Sequence, residues 1–296
     1  MWQALRLVRG WEVKDEVPNE INQLAVQWLE NKMQQTLEGV EKSMSEFRLS
    51  EALKDLYRFI WGDFCSWYLE MIKPAYGEAI DRTTLLKTIE FFEELMTILH
   101  PFMPFVTEEI WHELKERKAG EDCVVSSYPS IKAYDADLIA KVEKAKDVTS
   151  KVRETRNSKG ISQKEALQLF VQESDSANAL FSQAGLKDMI VKMANLSALN
   201  MTSEDDVASS LSFISATEKY FLEVNLTIDV EAECARLKEE LAYQEGFVAK
   251  VGKKLSNERF VNNAPAAVVE KERKKMADGE ERIKILKESL AQLGGQ

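Results

Sequence analysis

Cysteine and histidine are scarce in this chain, and several signatures of chemistry are missing. Of 296 residues, three are cysteines (Cys65, Cys123, Cys234) and two are histidines (His100, His112). The cysteines are odd in number, far apart and form no C-x-x-C pair. Neither a disulfide framework nor a cysteine–zinc cluster is expected, and a reducing, cytoplasmic setting is. Two histidines leave little material for a histidine-ligated metal site, so no metal is expected. No window approaches about 18 consecutive apolar residues, which argues against a helical membrane span. The opening Met1-Trp-Gln-Ala-Leu-Arg6 lacks the basic-then-apolar layout of a signal peptide. There is no glycine-rich phosphate loop, no G-x-G-x-x-G fingerprint, no internal repeat and no low-complexity tract.

What is present is enough apolar material for real cores, 45% of residues, on a length that suits two or more domains. Residues 1–118 are helical by period. Asn19 to Glu46 is amphipathic, with Ile21, Leu24, Trp28, Met33, Leu37, Val40 and Met44 facing inward. Leu49 to Ile72 is apolar and aromatic and ends at Lys73-Pro74; Thr83–Leu99 and Pro104–Lys118 complete the set. Short connections between such helices favour an antiparallel bundle. Residues 119–136 read as a connector and Asp137–Arg156 as a charged helix. Ala166–Val171 reads as a strand, Ser176–Lys192 as a helix, Leu196–Met201 as a strand, and 211–214 with 220–224 as a hairpin.

The last 70 residues carry two seams. Val230, Cys234, Leu237, Leu241, Gln244, Val248, Val251 and Leu255 step 4-3-4-3, and so do Val269, Glu272, Met276, Gly279, Ile283, Leu286, Leu290 and Leu293. This is the spacing of a coiled coil. Pairing Leu255 with Val269 and Leu241 with Ile283 sets Gln244 opposite Gly279, so one antiparallel hairpin absorbs both defects, on helices of roughly 40 Å. Pro265 suits the first turn of the second helix. The predicted class is mainly α: an antiparallel helical bundle (1–128), a small α/β connecting domain (129–225) and a C-terminal coiled-coil hairpin (226–296).

The net charge of −11 argues at face value against nucleic acid. Its distribution says otherwise. Residues 246–275 hold eight Lys/Arg against three acids, a local +5, which leaves −16 on the rest.

Three stretches carry a resemblance. Trp61-Gly-Asp-Phe-Cys-Ser-Trp-Tyr-Leu-Glu-Met-Ile-Lys-Pro74 resembles a helix of the anticodon-binding domain of valyl-tRNA synthetases. Leu99-His-Pro-Phe-Met-Pro-Phe-Val-Thr-Glu-Glu-Ile-Trp111 is similar to a motif shared by the class I valyl, isoleucyl and leucyl enzymes. Residues 254–273, Lys-Leu-Ser-Asn-Glu-Arg-Phe-Val-Asn-Asn-Ala-Pro-Ala-Ala-Val-Val-Glu-Lys-Glu-Arg, resemble the tip of the valyl enzymes' C-terminal arm. The stretch Val152–Ile161 also resembles that family. The arm selects valyl among the three, and the cysteine spacing does not suit an isoleucyl zinc module. The two ATP-binding signatures of the class, HxGH and KMSKS, are absent. The resemblance therefore implies a C-terminal fragment of a monomeric valine–tRNA ligase. It would bind valine-specific tRNA, need no cofactor of its own and lack catalysis, with ATP used by the missing catalytic domain.

The candidate RNA contacts follow. At the arm tip they are Lys250, Lys253, Lys254, Asn257, Arg259, Asn263, Lys271, Arg273, Lys274 and Lys275, the cations for phosphates and the asparagines for hydrogen bonds or helix capping. Two helices cannot aim all of them one way. Phe260 either plugs the arm's end or stacks a base. By resemblance, the first helix borders the anticodon, which puts Arg6 and Arg9 forward for phosphates or base edges. The aromatic cluster Tyr57, Phe59, Trp61, Phe64, Trp67 and Tyr68 reads mainly as core, with edge members able to stack a base. His100 to Phe105 reads as a proline-fixed corner whose phenylalanines fill the bundle. The rival class is an acidic scaffold whose hairpin docks on another protein.

Overall fold

A computed structural model describes residues 1–203, 207, 210–215, 218–224, 230–257 and 266–294. The chain forms two compact units, Met1–Val224 and Asn225–Gln296. The expected boundary at 128/129 runs through the first of them.

The first unit begins with α1 (Trp2–Arg9), which buries Ala4, Leu5 and Val8. The long helix α2 (Glu20–Ser45) starts at Asn19, whose side chain accepts the Asn22 N–H at 2.8 Å and so satisfies one open donor of the first turn. Its buried face holds Leu24, Trp28, Met33, Leu37 and Val40, as the period predicts; Met44 is instead half-exposed near the helix end. The Leu49–Ile72 run is helical throughout but not α throughout. After α3 (Leu49–Arg58), residues Phe59–Tyr68 form a π-helix, and α4 (Leu69–Ile72) closes the run. The wider turn lets Phe64 meet Phe92 edge-on at 4.9 Å between ring centres, and Tyr68 meet Phe91 at 5.5 Å. The Tyr68 hydroxyl bonds Thr88 Oγ1 at 2.7 Å. Phe91, Phe92 and Thr88 lie on α5 (Arg82–Leu99), capped by Asp81. A two-residue parallel bridge that the sequence did not announce, β1 (Val13–Lys14) with β2 (Ile80–Asp81), joins the segments before α2 and α5.

Helix α6 (Pro104–Leu114) starts at the proline and ends earlier than expected. His100 Nδ1 lies 2.8 Å from Thr107 Oγ1, which makes it a structural residue of the corner. The phenylalanines of that corner do not both fill the bundle. Phe102 is partly buried, but Phe105 is almost fully exposed, because it sits in the first turn of α6 on the side away from α5.

Helix α7 (Ala136–Ser158) ties the bundle to the sheet. Its Lys146 donates to Asp63 at 2.7 Å and stands over the rings of Trp28 and Trp67 at 4.9 and 5.4 Å. The sheet has strand order β4-β3-β6-β5, from β3 (Leu167–Gln172), β4 (Leu196–Thr202), β5 (Ser210–Ser215) and β6 (Glu218–Glu223). β3 and β4 run parallel and the other pairs antiparallel. The β3–β4 crossover is helical, as a parallel connection requires. It is two helices, α8 (Asp175–Phe181) and α9 (Leu186–Met193), rather than the single helix expected. The break is Gly185. Its φ is +76°, and a Cβ there would lie 2.4 Å from the Glu20 carbonyl oxygen, so the chain turns where only glycine fits.

The second unit contains α10 (Val230–Leu255) and α11 (Ala266–Gly294), which pack along each other. The described seam residues from Leu241 to Leu255 and from Val269 to Leu290 are all buried or half-buried, as the 4-3 spacing predicts. The pairing differs. A Cβ on Gly279 would lie 2.6 Å from Val248 Cγ2, and Lys254 pairs with Glu272 at 3.4 Å. The second helix is therefore displaced by three to four residues from the predicted register, and Gly279 faces Val248 rather than Gln244.

Candidate nucleic-acid interface

The arm tip is built by the last turns of α10 and the first turns of α11. Glu272 sits in the seam and is 7% exposed. A seam carboxylate must find cations, and it finds one on each helix: Lys275 donates at 2.9 Å, and Lys254 reaches across at 3.4 Å. The Lys275 hydrogen bond, with Lys254 adding to it, holds the Glu272 carboxyl below its ordinary pKa. Arg273 pairs with Glu270 at 3.8 Å on its own helix. Lys250, Lys253, Lys271 and Lys274 are exposed, with no ion-pair partner among the described residues. The ten predicted tip residues thus separate. Lys254 and Lys275 share a carboxylate, Arg273 has a local one, and four lysines face water. Asn257 lies just past the end of α10, and its N–H donates to the Lys254 carbonyl. Arg259, Phe260 and Asn263 lie outside the described residues.

At the other end of the chain α1 presents both predicted arginines to solvent. They are not equivalent. Arg9 pairs with Glu113 of α6, which fastens α1 to the bundle. Arg6 is exposed and has no ion-pair partner among the described residues. Both arginines stay candidate contacts, Arg9 with its guanidinium engaged by Glu113. In the aromatic cluster, Phe59, Phe64 and Tyr68 are core, whereas Tyr57 and Trp61 stack in parallel at 5.6 Å and are more than half exposed.

A model of the anticodon-binding domain of tRNA ligases matches residues 26–171. A model of the valyl-tRNA synthetase tRNA-binding arm matches residues 229–294. The valine–tRNA ligase of Bacteroides thetaiotaomicron is 45% identical over 99% of this chain, and that of Parabacteroides distasonis 42% over the same share; each alignment covers 33% of the relative. The enzyme of Enterococcus faecalis is 33% identical over 99% of this chain and 34% of its own length. The chain belongs to the valyl-tRNA synthetase family. It spans about one third of the length of the curated relatives it matches.

Within this family segment, sequence reasoning missed Arg156, a fully buried cation. It donates to the carbonyls of Ser162 at 3.0 Å, Glu165 at 2.8 Å and Asn195 at 2.9 Å. Burial pushes its pKa down. Its acceptors are backbone atoms, so no charge pattern in the sequence could announce them. Glu108, His112 and Asp122 bring their ligand atoms within 4.8 Å of one another. That cluster is already occupied: His112 Nε2 lies 3.3 Å from Glu108 and 3.1 Å from Asp122, and Glu108 accepts the Cys123 and Val124 N–H groups. Among the described residues no helix is long and apolar enough to cross a membrane.

Proposed function

We propose that this chain is the tRNA-binding, C-terminal part of a cytoplasmic, monomeric valine–tRNA ligase. Residues 1–128 form an antiparallel bundle that reads the anticodon stem-loop, where unpaired bases are accessible. Residues 129–225 connect. Residues 226–296 are a coiled-coil arm along the outer corner of the L-shaped tRNA, where the D and T loops meet. The parent enzyme ligates valine to its tRNA at the expense of ATP. This part supplies placement, delivering the tRNA 3′ end to a distant active site. It binds no ATP and forms no valyl-AMP, since neither HxGH nor KMSKS occurs in it.

The observation that carries this reading is the local +5 at the arm tip of a −11 chain, within the segment that matches the arm model. Solvated lysines on a phosphate-binding surface release counterions, which makes affinity fall with salt. A gel shift of the chain with a valine-accepting tRNA at low and moderate salt tests it. Salt-sensitive binding is expected, and absence of binding at low salt would favour the protein-docking scaffold instead. Arg6→Ala should reduce discrimination between cognate and altered anticodons by about tenfold, the scale of one base contact. Unchanged discrimination would remove Arg6 from the anticodon site.

A further inference from the structure

We infer that the arm meets RNA with one face only, the side on which Lys250 and Lys254 of α10 stand beside Lys271 and Lys275 of α11. This rests on the reading of the arm as an RNA-binding element and says which way the arm turns.

The geometry follows from Glu272. Its carboxylate pairs with Lys254 from the neighbouring helix and Lys275 from its own, so both lysines lie on the same side of the seam. Lys250 and Lys271 are each four residues from these, about one helical turn or 6 Å along the axis, and share that side. Arg273 is two residues from Lys275, about 200° around the helix, and lies on the opposite side. There the cations are matched: Arg273 with Glu270 at 3.8 Å, and Lys287 with Glu245 across the helices at 2.9 Å. Lys253 and Lys274 point to the outer edges. Among the described residues near the tip, the first face shows four lysines around one carboxylate, and the second carries the Arg273–Glu270 and Lys287–Glu245 pairs. A polyanion gains most by turning to the first. The two lysine pairs straddle the seam, so that several phosphates of one backbone can be neutralised together.

Two double variants of the full chain separate the faces at equal net charge, each two charges more negative than the parent chain. K250Q/K271Q removes two lysines from the proposed face without touching the Glu272 pairs. R273Q/K274Q removes two cations from the far side and edge. Affinity for a valine-accepting tRNA is measured by filter binding between about 50 and 200 mM salt, and circular dichroism checks that both variants keep their helices. K250Q/K271Q should flatten the slope of log affinity against log salt by about 1.4–1.8, from roughly 0.7–0.9 per phosphate contact. K250R/K271R should retain the slope, and R273Q/K274Q should change affinity by less than about threefold. Equal losses in the two Gln doubles, with wild-type binding intact, would overturn the one-face assignment alone. No wild-type binding at the lowest salt would overturn the RNA reading and this inference with it.

Discussion

Met1–Val224 surrounds its key cations, whereas the arm leaves most of its own in water. Arg156 is fully buried among three carbonyls, Lys146 lies between two tryptophans and Asp63, and Lys192 is pushed below its usual pKa by burial while donating to the carbonyls of Met71 and Lys73. In the arm the buried charge is an anion, Glu272, and its partners Lys254 and Lys275 remain half in solvent. The difference is one of thickness. A unit with a sheet, a bundle and a deep core can present several fixed acceptors to one cation. Two helices have a seam one residue wide, with room for Val251, Val269 and Leu286 as fully buried apolar side chains among the described residues. The buried cations of the first unit hold structure together, whereas Lys250, Lys253, Lys271 and Lys274 of the arm face water.

The sharpest way to break this comparison is Arg156→Met. It removes the buried donor that ties the carbonyls of Ser162, Glu165 and Asn195 together and should destabilise the first unit by about 3 kcal/mol in urea unfolding, with Arg156→Lys recovering little because one ammonium cannot reproduce the fork. A loss below about 1 kcal/mol would mean that Arg156 is not structural. Gly185→Ala comes next. Its Cβ would press on the Glu20 backbone at a positive φ, and the expected cost is about 2–3 kcal/mol, read in the same assay. Gly279→Ala is the arm's counterpart and should cost less, about 1 kcal/mol, because the obstacle is a valine methyl and alanine favours the helix. Adding Val248→Ala should remove that clash; a double variant no better than additive would contradict the register described above.

The smallest effect is one of pH. Because the Glu272 pKa is depressed in the folded arm, its stabilisation is complete above the ordinary carboxylate pKa and is lost as pH falls through the folded value. The acid-side loss of arm helicity, followed by circular dichroism, should start at higher pH in a chain carrying K254Q/K275Q. Identical acid transitions would show that the two lysines do not hold Glu272.

These contrasts also mark what could be read from the sequence. The helices of the first unit and the arm's seam were legible because a helix repeats locally. The seam partners were legible in kind but not in register: sliding one helix by three or four residues in a 4-3 pattern brings seam near seam again, and the Gly279–Val248 approach and the Lys254–Glu272 pair decide. The π-turn at Phe59–Tyr68 and the break at Gly185 arise from contacts with α5 and Glu20, distant in sequence. At the candidate interface, composition located the cations. It could not show that Glu272 engages Lys254 and Lys275, or that Glu113 engages Arg9, because those pairings depend on which face each helix turns inward.

The central claim is that one chain grips tRNA at two separate places. Hydroxyl-radical footprinting of a valine-accepting tRNA bound to the full chain tests it most directly. The account predicts two protected patches, one over the anticodon stem-loop and one at the outer corner, with the second weakened selectively by K250Q/K271Q. A single patch, or protection spread evenly along the tRNA, would contradict it.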